Sequence, residues 1–290
     1  MPFLALLVIS CLCGLAGRML LGRLLPAGGL PHAVAHEAAE LGPLRRGLRS
    51  RLDPQVATGL ALTVAMALLV AGGIVVALLA LLLRSSELLV DIDRAAARWG
   101  HIHAGRLSTD ALNAVTQLGN TPLVVVLGVT LAVVEMVRIR DRWLVPFLLV
   151  VTLGDSLITN LIKGVVDRAR PTLNPTAVTL GPSFPSGHSS TAAAFFAAAA
   201  LILARRRSHR MRAWLAGTAV ALAVAVACSR VLLDLHWLSD VIAGLMLGWA
   251  WFAACAIAFG GRMLEFGAPA EEAEREVARP PAELSHSSTR

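Results

Sequence analysis

Long apolar runs, separated by short polar stretches, are the dominant pattern of the chain. Each run is close to the ~20 residues that a helix needs to cross about 30 Å of hydrocarbon. Backbone polar groups in lipid must be bonded within their own segment, so the runs are predicted to be helices rather than open strands. Six predicted spans cover residues 56–83, 121–137, 143–162, 188–204, 213–228 and 237–260. The second belongs to a segment near residues 111–137 that is interrupted by Gly119, Asn120 and Pro122, so its membrane part is expected to start near Thr121.

The stretches outside these spans divide the chain into three predicted parts. Residues 1–55 hold a short apolar segment and a basic linker, 56–262 form an all-α polytopic membrane helix bundle with six core helices, and 263–290 form an acidic, disordered tail. The apolar segment at 3–17 is a candidate seventh membrane helix. A cleaved signal peptide is the weaker alternative, because no basic region precedes this segment. Residues 84–110 are predicted to be a loop with some helix of its own.

The composition indicates a membrane protein. Only 16% of the 290 residues are charged, whereas 56% are hydrophobic. Soluble proteins carry about 25% charged residues, so the bilayer is the expected partner of this chain. The net charge of +7 comes from short clusters between apolar runs, as expected for membrane topology, so we expect no nucleic-acid partner. The four cysteines lie in apolar segments, and their spacing indicates neither a zinc site nor a disulfide framework.

Basic clusters between the spans predict the topology. Arginine-rich stretches precede the first span, follow the second, separate the fourth from the fifth and follow the sixth, at 45–51, 138–142, 205–212 and 262. All of them fall on one side if the spans alternate, and the positive-inside rule makes that side cytoplasmic. Three other polar clusters then lie together on the extracytoplasmic side.

These three clusters carry the candidate chemistry, and each lies at the end of a span. The first, residues 163–171, contains the pair Arg170-Pro171 and Lys163, the single lysine among the 26 Lys and Arg residues. The second is Pro185-Ser186-Gly187-His188, and the third runs from Ser229-Arg230 through His236 to Asp240. Together they offer cations, two histidines, a carboxylate and a helix start opened by glycine. This inventory is suited to holding and transferring a phosphate.

The third cluster predicts an oriented base. His236 and Asp240 are four residues apart, so on a helix they share one face. A carboxylate that accepts the proton of one ring nitrogen leaves the other nitrogen with a free lone pair. A base held by such a partner is typical of an activated nucleophile. Taken alone, the pattern fits equally well an interfacial histidine beside a helix-start aspartate, with Trp237 as a membrane anchor.

The second cluster predicts an anion site. Gly187 stands just before an alanine-rich helix whose first N–H groups have no intrahelical partner. An anion binds such groups well, and His188 can then act as a general acid at a neighbouring oxygen. Taken alone, an ordinary serine N-cap followed by an exposed histidine is the commoner interpretation.

The first cluster predicts a set of cations. Lys163 and Arg170 are seven residues apart, or two helical turns, so both are expected to face one way, and Arg230 adds a third cation. Arginine grips phosphate oxygens with a planar fork, while lysine acts as a point charge. The alternative is a basic patch that meets lipid headgroups. That alternative is weakened because the positive-inside rule predicts few cations on this side.

Other polar residues receive simpler interpretations. Arg168 is interpreted as a bystander, and Asp155 as a residue that bonds between helices. Glu135 is expected near the cytoplasmic interface, and His101 and His103 at the surface.

Taken together and in this order, the three clusters resemble the type-2 phosphatidic acid phosphatase superfamily, which also includes vanadium haloperoxidases and glucose-6-phosphatase. That family's pattern is Lys-x6-Arg-Pro, Pro-Ser-Gly-His and Ser-Arg-x5-His-x3-Asp, and the chain matches every position within residues 56–260. The resemblance implies that His236 attacks phosphorus, Asp240 orients it and His188 protonates the leaving oxygen. It also implies that the phosphate oxygens are held by Lys163, Arg170, Ser186, the Gly187 backbone and Arg230. It implies neither a metal nor any other cofactor.

The expected function is that of an integral-membrane lipid phosphatase. The favoured substrate is a polyprenyl (undecaprenyl) diphosphate, cleaved to the monophosphate at the outer face of a bacterial plasma membrane, with phosphatidic acid or phosphatidylglycerophosphate as alternatives. A non-catalytic protein that binds or transports lipid phosphates is a second class. The intact His188, His236 and Asp240 argue against it, because binding alone needs only the cations. Haloperoxidase chemistry on vanadate is a third class, and the six spans argue against it.

Overall fold

The computed structural model describes residues 54–103, 106–205 and 207–263, which contain helices and no strand. The expectations for residues 1–53 and for the tail from residue 264 onward lie outside the described residues. The helices are α1 (Pro54–Ser85), α2 (Glu87–His103), α3 (Arg106–Gln117), α4 (Thr121–Ile139), α5 (Leu144–Val166), the short α6 (Pro175–Val178), α7 (Gly187–Ala204), α8 (His209–Leu232) and α9 (Leu238–Met263).

The helices confirm the prediction of an all-helical membrane bundle. Within the described residues, α4, α5, α7, α8 and α9 are each long and apolar enough to cross a membrane. A sixth span is counted when Leu69–Ser85 and Glu87–His103, which meet at a bend of 92°, are taken as one. Helix α4 begins at Thr121 as predicted, because Asn120 is extended and Pro122 lies in the first turn.

Helices α5 and α8 each extend by about one turn past their predicted ends, and both carry site residues. Helix α5 continues from 162 to Val166, and α8 continues from 228 to Leu232. The polar side chain on the added turn of α8 does not face water, since Arg230 is only 5% exposed. A span predicted from hydropathy ends where such polar residues begin. The helix itself continues for one more turn, because the protein interior buries them.

Helix α7 forms the centre of the bundle and packs against α4, α5, α8 and α9. Its alanine-rich sequence leaves little side-chain volume, and Ala192, Ala193 and Ala198 are fully buried. Two glycines of α9 bring the helices closer still. A Cβ added at Gly248 would overlap the carbonyl oxygen of Ser190, so the backbones of α7 and α9 are almost in contact.

A buried polar contact joins α5 to α7 near this centre. The carboxylate of Asp155 accepts hydrogen bonds from the hydroxyl groups of Ser190 and Thr191. The interpretation of Asp155 as an interhelical residue is therefore consistent with its contacts.

The stretch predicted to be a loop is largely helical and forms part of the protein body. Helix α2 packs on α8 and α9 and buries Asp93, Ala97 and Gly100. A Cβ at Gly100 would lie 3.1 Å from the backbone of Leu232, so α2 lies close against the end of α8. Helix α3 covers the same end of α8 through Leu112. Both helices therefore border the third polar cluster.

Candidate active site

The three polar clusters, far apart in sequence, meet at one end of the bundle. The ring of His188 lies within electrostatic range of Lys163, Arg170, Arg230 and His236. These groups come from the last turn of α5, the loop after it, the last turn of α8, the first turn of α7 and the loop before α9. The structure therefore brings together every site residue that the sequence predicts.

His236 lies in the loop between α8 and α9 and is only 1% exposed. Its Nε2 is 3.0 Å from Nη1 of Arg170. A guanidinium has only donors, so Nε2 must accept and the ring proton belongs on Nδ1. Burial lowers the pKa of His236 to about 4, and the nearby Asp240 carboxylate only partly opposes this shift. The ring is therefore neutral at pH 7, with a lone pair on the nitrogen that faces the cations.

The Asp240 carboxylate lies on the other side of the same ring. Its Oδ2 is 3.5 Å from Nδ1 of His236, which is longer than a normal N–H···O hydrogen bond. Nδ1 accordingly has no hydrogen-bond partner among the described residues. The contact is thus electrostatic in this structure, and long catalytic contacts of this kind commonly shorten when substrate binds.

Helix capping explains the position of Asp240. Helix α9 begins at Leu238, so Asp240 lies in its first turn and accepts a hydrogen bond from the backbone N–H of Trp237 at 3.0 Å. This contact is half of a capping box. His236 precedes the helix, so the prediction that the two residues share a helical face is wrong. Their proximity comes from the cap, which turns the Asp240 side chain back toward the preceding residues.

Arg170 is held by backbone carbonyls. Its guanidinium donates to the carbonyl oxygens of Gly181 at 2.8 Å, Leu235 at 2.7 Å and Pro182 at 3.2 Å. Burial lowers the pKa of Arg170, and the Asp240 charge opposes the shift. An arginine remains a cation under such conditions.

The helical spacing proposed for Lys163 and Arg170 is wrong. Helix α5 ends at Val166, because Asp167 takes a left-handed conformation with a φ of 44°. Arg170 therefore lies in the irregular segment that follows, and it comes near Lys163 because the chain changes direction after the helix ends.

Arg230 is buried and incompletely paired. Its Nη1 donates to Thr116 Oγ1 at 3.2 Å, whereas its Nε has no hydrogen-bond partner in the described part of the chain. A buried cationic donor without a partner is costly, and an anion in the site removes that cost.

Gly187 leaves space in front of the Lys163 ammonium. A Cβ added at Gly187 would have Lys163 Nζ 4.0 Å away and Thr159 Cγ2 3.7 Å away. The absence of a side chain at this position therefore leaves a gap between the start of α7 and the lysine. A phosphate oxygen fits such a gap, where the first N–H groups of a helix also point.

Ser186 is the N-cap of α7. Its Oγ accepts hydrogen bonds from the backbone N–H of Ser189 at 3.4 Å and from Ser189 Oγ at 2.9 Å. Since Oγ accepts both bonds, its own proton can be donated elsewhere. The half-buried His188 lies in the same first turn. The serine cap and the anion site are alternative interpretations of the sequence motif, but the same helix start can serve as both.

The interpretation of Arg168 as a bystander is wrong, because its guanidinium binds two buried carboxylates. Its Nη1 donates to Asp240 Oδ1 at 2.6 Å, and its Nη2 donates to Asp93 Oδ2 at 2.7 Å. Asp93, which the sequence reasoning did not single out, is 1% exposed on α2. The sequence carries a weak signal for this role of Asp93, which shares a helical face with the small residues Ala97 and Gly100. Such a face is suited to packing, and a carboxylate buried there needs a partner.

Two histidines predicted at the surface are exposed. His101 nevertheless contacts Asp234, with Nδ1 of the ring 3.0 Å from Oδ2 of the carboxylate. Burial raises the pKa of Asp234, and the contact with His101 partly opposes this shift. At the other end of the bundle, Glu135 is 4% exposed and pairs with Arg138 at 3.1 Å.

Comparisons with known proteins point to one family. The family model of the PAP2 superfamily matches residues 143–263. The chain is 30% identical over 147 residues to phosphatidylglycerophosphatase B of Bacillus subtilis (strain 168), which covers 48% of the chain and 69% of that relative. It is 36% identical over 121 residues to a lipid A 1-phosphatase of Rhizobium johnstonii, which covers 38% of the chain and 46% of that relative.

A solved structure has the same fold. The crystal structure of a transmembrane PAP2-type phosphatidylglycerolphosphate phosphatase from Bacillus subtilis matches with a TM-score of 0.61 at 24% identity. The match covers 68% of this chain and 98% of the other. At this identity the similarity concerns the helix arrangement alone.

Proposed function

Since this chain belongs to the PAP2 superfamily and is a membrane lipid phosphatase, we propose that it transfers the terminal phosphate of its lipid to His236 and then to water. The observation that carries this proposal is the contact between Arg170 and Nε2 of His236. Because of this contact, the Nε2 lone pair of the neutral His236 ring is directed toward the cluster of Lys163, Arg170 and Arg230. A nucleophile and its electrophilic partners thus face one point.

In the first step, Nε2 of His236 attacks phosphorus in line with the bond to the lipid oxygen. The P–N bond forms, the P–O bond breaks, and the lipid oxygen takes a proton from His188. The bound phosphate brings negative charge next to the His188 ring, which favours the protonated form that this role needs. Asp240 stabilises the positive charge that develops on the His236 ring.

In the second step, water attacks the phosphorus of the phosphohistidine. His188, now neutral, takes a proton from this water, the P–N bond breaks and its electron pair returns to Nε2. Inorganic phosphate leaves, and both histidines regain their starting states. His188 thus serves as acid in one step and as base in the other.

Three cations stabilise the phosphoryl group during transfer. Lys163, Arg170 and Arg230 surround the site, and Ser186 Oγ and the Gly187 N–H supply neutral donors. Phosphoryl transfer is catalysed mainly by positioning and by stabilising charge on the equatorial oxygens. The cation set supplies that charge, so we propose that turnover needs no divalent metal ion.

Our first substrate candidate is a polyprenyl diphosphate, cleaved at the extracytoplasmic face. The clusters lie at helix ends, where a tail-anchored lipid presents its phosphate, and three cations exceed what a monoester dianion needs. Phosphatidylglycerophosphate is the second candidate, supported by the name of the Bacillus relative. Specific activity on the two lipids in matched detergent micelles decides between them. A rate on the diphosphate tenfold or more below that on the glycerolipid would overturn the first candidate alone.

The phosphohistidine is tested by rapid quenching with a lipid labelled in its terminal phosphate. We expect a base-stable, acid-labile label in the wild-type protein and none in His236→Ala. Labelling of a different residue, or near wild-type turnover in His236→Ala, would exclude the proposed nucleophile. A non-catalytic binding protein would give neither label nor released phosphate.

A further inference from the structure

A buried network of charges connects α2 to the proposed nucleophile. Arg168 lies between two carboxylates, with Nη2 2.7 Å from Asp93 Oδ2 and Nη1 2.6 Å from Asp240 Oδ1. Both carboxylates are buried, and the Arg168 side chain is 18% exposed. Charge therefore alternates along a line from Asp93 through Arg168 to Asp240, and this line ends at the ring of His236.

Ser239 joins the same network and ties the start of α9 to α2. Its backbone N–H donates to Asp93 Oδ1 at 2.9 Å, and its hydroxyl donates to Asp93 Oδ2 at 2.6 Å. The same hydroxyl accepts from Arg168 Nη1 at 2.7 Å. Asp93 thus holds both the residue before Asp240 and the cation that binds Asp240.

The contacts of Asp240 determine which oxygen faces the histidine. Arg168 takes Oδ1, whereas Oδ2 receives the Trp237 N–H and faces Nδ1 of His236. Rotation of the carboxylate would break the bond to Arg168. The Trp237 ring lies over the Arg168 guanidinium at 5.5 Å and donates to the Ala169 carbonyl at 2.8 Å, which limits movement of the arginine.

We propose that Asp93 and Arg168 are positioning residues that hold Asp240, and through it His236, in the orientation for attack. This inference rests on the proposed nucleophile. Asp93 also accepts the backbone N–H of Ser239 in the first turn of α9, whereas Arg168 takes no part in capping that helix. Neither side chain is among the groups that hold the phosphate. Their loss therefore lowers the rate of phosphoryl transfer to His236 and leaves substrate affinity in place.

The experiment compares Asp93→Asn, Arg168→Gln, Arg168→Lys and the double variant Asp93→Asn/Arg168→Gln with wild type. The full-length protein in detergent micelles is assayed with polyprenyl diphosphate or phosphatidylglycerophosphate, whichever the wild type turns over faster. Asp91→Asn is the matched control, because Asp91 lies on the same helix, is 70% exposed in its side chain and pairs only with Arg94 in the described structure. Binding of a phosphate mimic is measured as the rise in Tm that vanadate causes, which we call the vanadate shift.

We expect kcat and the rate of phosphoenzyme formation to fall about 10- to 100-fold in Asp93→Asn and Arg168→Gln, by analogy with the loss seen when a partner that orients a metal-binding histidine is removed. KM and the vanadate shift should stay within about twofold of wild type, and Asp91→Asn should match wild type throughout. The double variant should lose less than the product of the single losses, since both residues act on Asp240. Arg168→Lys keeps the charge and should recover part of the rate.

Several outcomes overturn the inference. It fails if kcat is unchanged in both single variants, if KM rises while kcat is kept, or if the slow variants also lose the vanadate shift. Where a neutral variant does not fold, Arg168→Lys and Ser239→Ala carry the same comparison, and wild-type kcat in both would reject it. Failure of the proposed function is distinguishable, because His236→Ala would then keep its turnover whatever the network variants do.

Discussion

Arg170 donates from Nη1 to Nε2 of His236 across 3.0 Å, and this contact assigns the ring proton to Nδ1, on the side of Asp240. The tautomer is therefore set from both sides of the ring. A neutral asparagine in place of Asp240 removes the anion and can present an N–H group to Nδ1, which would move the ring proton to Nε2.

We accordingly expect Asp240→Asn to lower kcat by several orders of magnitude. The comparable change in a serine-protease triad costs about 10⁴-fold for the same reason. Single-turnover labelling should show slow phosphoenzyme formation with an unchanged vanadate shift. A loss below about tenfold would mean that Asp240 serves the helix cap alone.

The depressed pKa of His236 predicts how stability depends on pH. The pKa is about 4 in the folded protein, against about 6.5 in an unfolded chain. Between these values the unfolded chain binds a proton that the folded protein does not, so the free energy of unfolding falls as the pH drops from about 6.5 to about 4. His236→Gln cannot titrate and should lack this component.

The measurement is the Tm of both proteins in the same micelles between pH 8 and pH 4. We expect the wild type to lose Tm relative to His236→Gln as the pH falls through that window. A difference that stays constant with pH would contradict a buried, neutral imidazole.

The open Nε of Arg230 predicts opposite effects on binding and on stability. A charge-assisted hydrogen bond contributes about 1.5–3 kcal/mol, so Arg230→Gln should weaken inhibition by vanadate by roughly 10-fold or more. The same change removes a buried charge that is incompletely paired, so the Tm should be kept or raised. The exposed Arg94→Gln serves as the control and should leave both quantities unchanged. A large drop in the Tm of Arg230→Gln would contradict this view of the site.

Gly244 provides a test of the packing behind the anion site. A Cβ added there would lie 2.5 Å from the Ser186 carbonyl oxygen and 3.1 Å from Ser189 Cβ. Gly244→Ala should therefore displace the start of α7, cost about 1–3 kcal/mol of stability and lower kcat. Gly73→Ala is the matched control, because nothing lies within 4 Å of its added Cβ. Equal effects of the two substitutions would mean that the α7–α9 contact does not position the site.

Much of the fold is readable from the sequence because hydropathy and helix length act locally. The apolar runs predict the membrane helices to within a few residues, and Pro122 marks the start of α4. The end of α5 is not readable in this way, since it depends on the left-handed conformation of Asp167. The residue patterns predict Lys163 and Arg170 as site residues, and the structure places both near His188, although the helical reason for their proximity is wrong.

The network around Asp93 could not be predicted from local patterns. Asp93 and Arg168 are distant in sequence, and their contact depends on the bend of 92° between α1 and α2, which lays α2 against α8 and α9. Ser85 and Ser86 mark a break there, but their sequence does not determine its angle. Arg168 also lies between Lys163 and Arg170 in sequence, and these two residues satisfy the Lys-x6-Arg-Pro pattern without it.

The topology remains a prediction, and the structure supplies its test. The loops at 138–142 and 205–212 meet at the end of the bundle away from His236, where Arg205 pairs with Asp141 at 2.8 Å. A cavity of about 270 Å³ lined by Glu135, Arg138, Arg205 and Arg207 opens at the same end. The positive-inside rule predicts that this end is cytoplasmic and that the site is extracytoplasmic.

Single cysteines at Arg207 and Thr172, both exposed, report on the two ends. They are introduced after the four native cysteines are replaced, because the half-buried Cys228 would otherwise contribute background. In intact cells an impermeant maleimide should label Thr172→Cys and not Arg207→Cys, and both should react once the membrane is opened. Labelling of Arg207→Cys alone in intact cells would show that the topology is the opposite of the predicted one. Hydrolysis would then take place at the cytoplasmic face, and a substrate presented at the outer leaflet would be excluded.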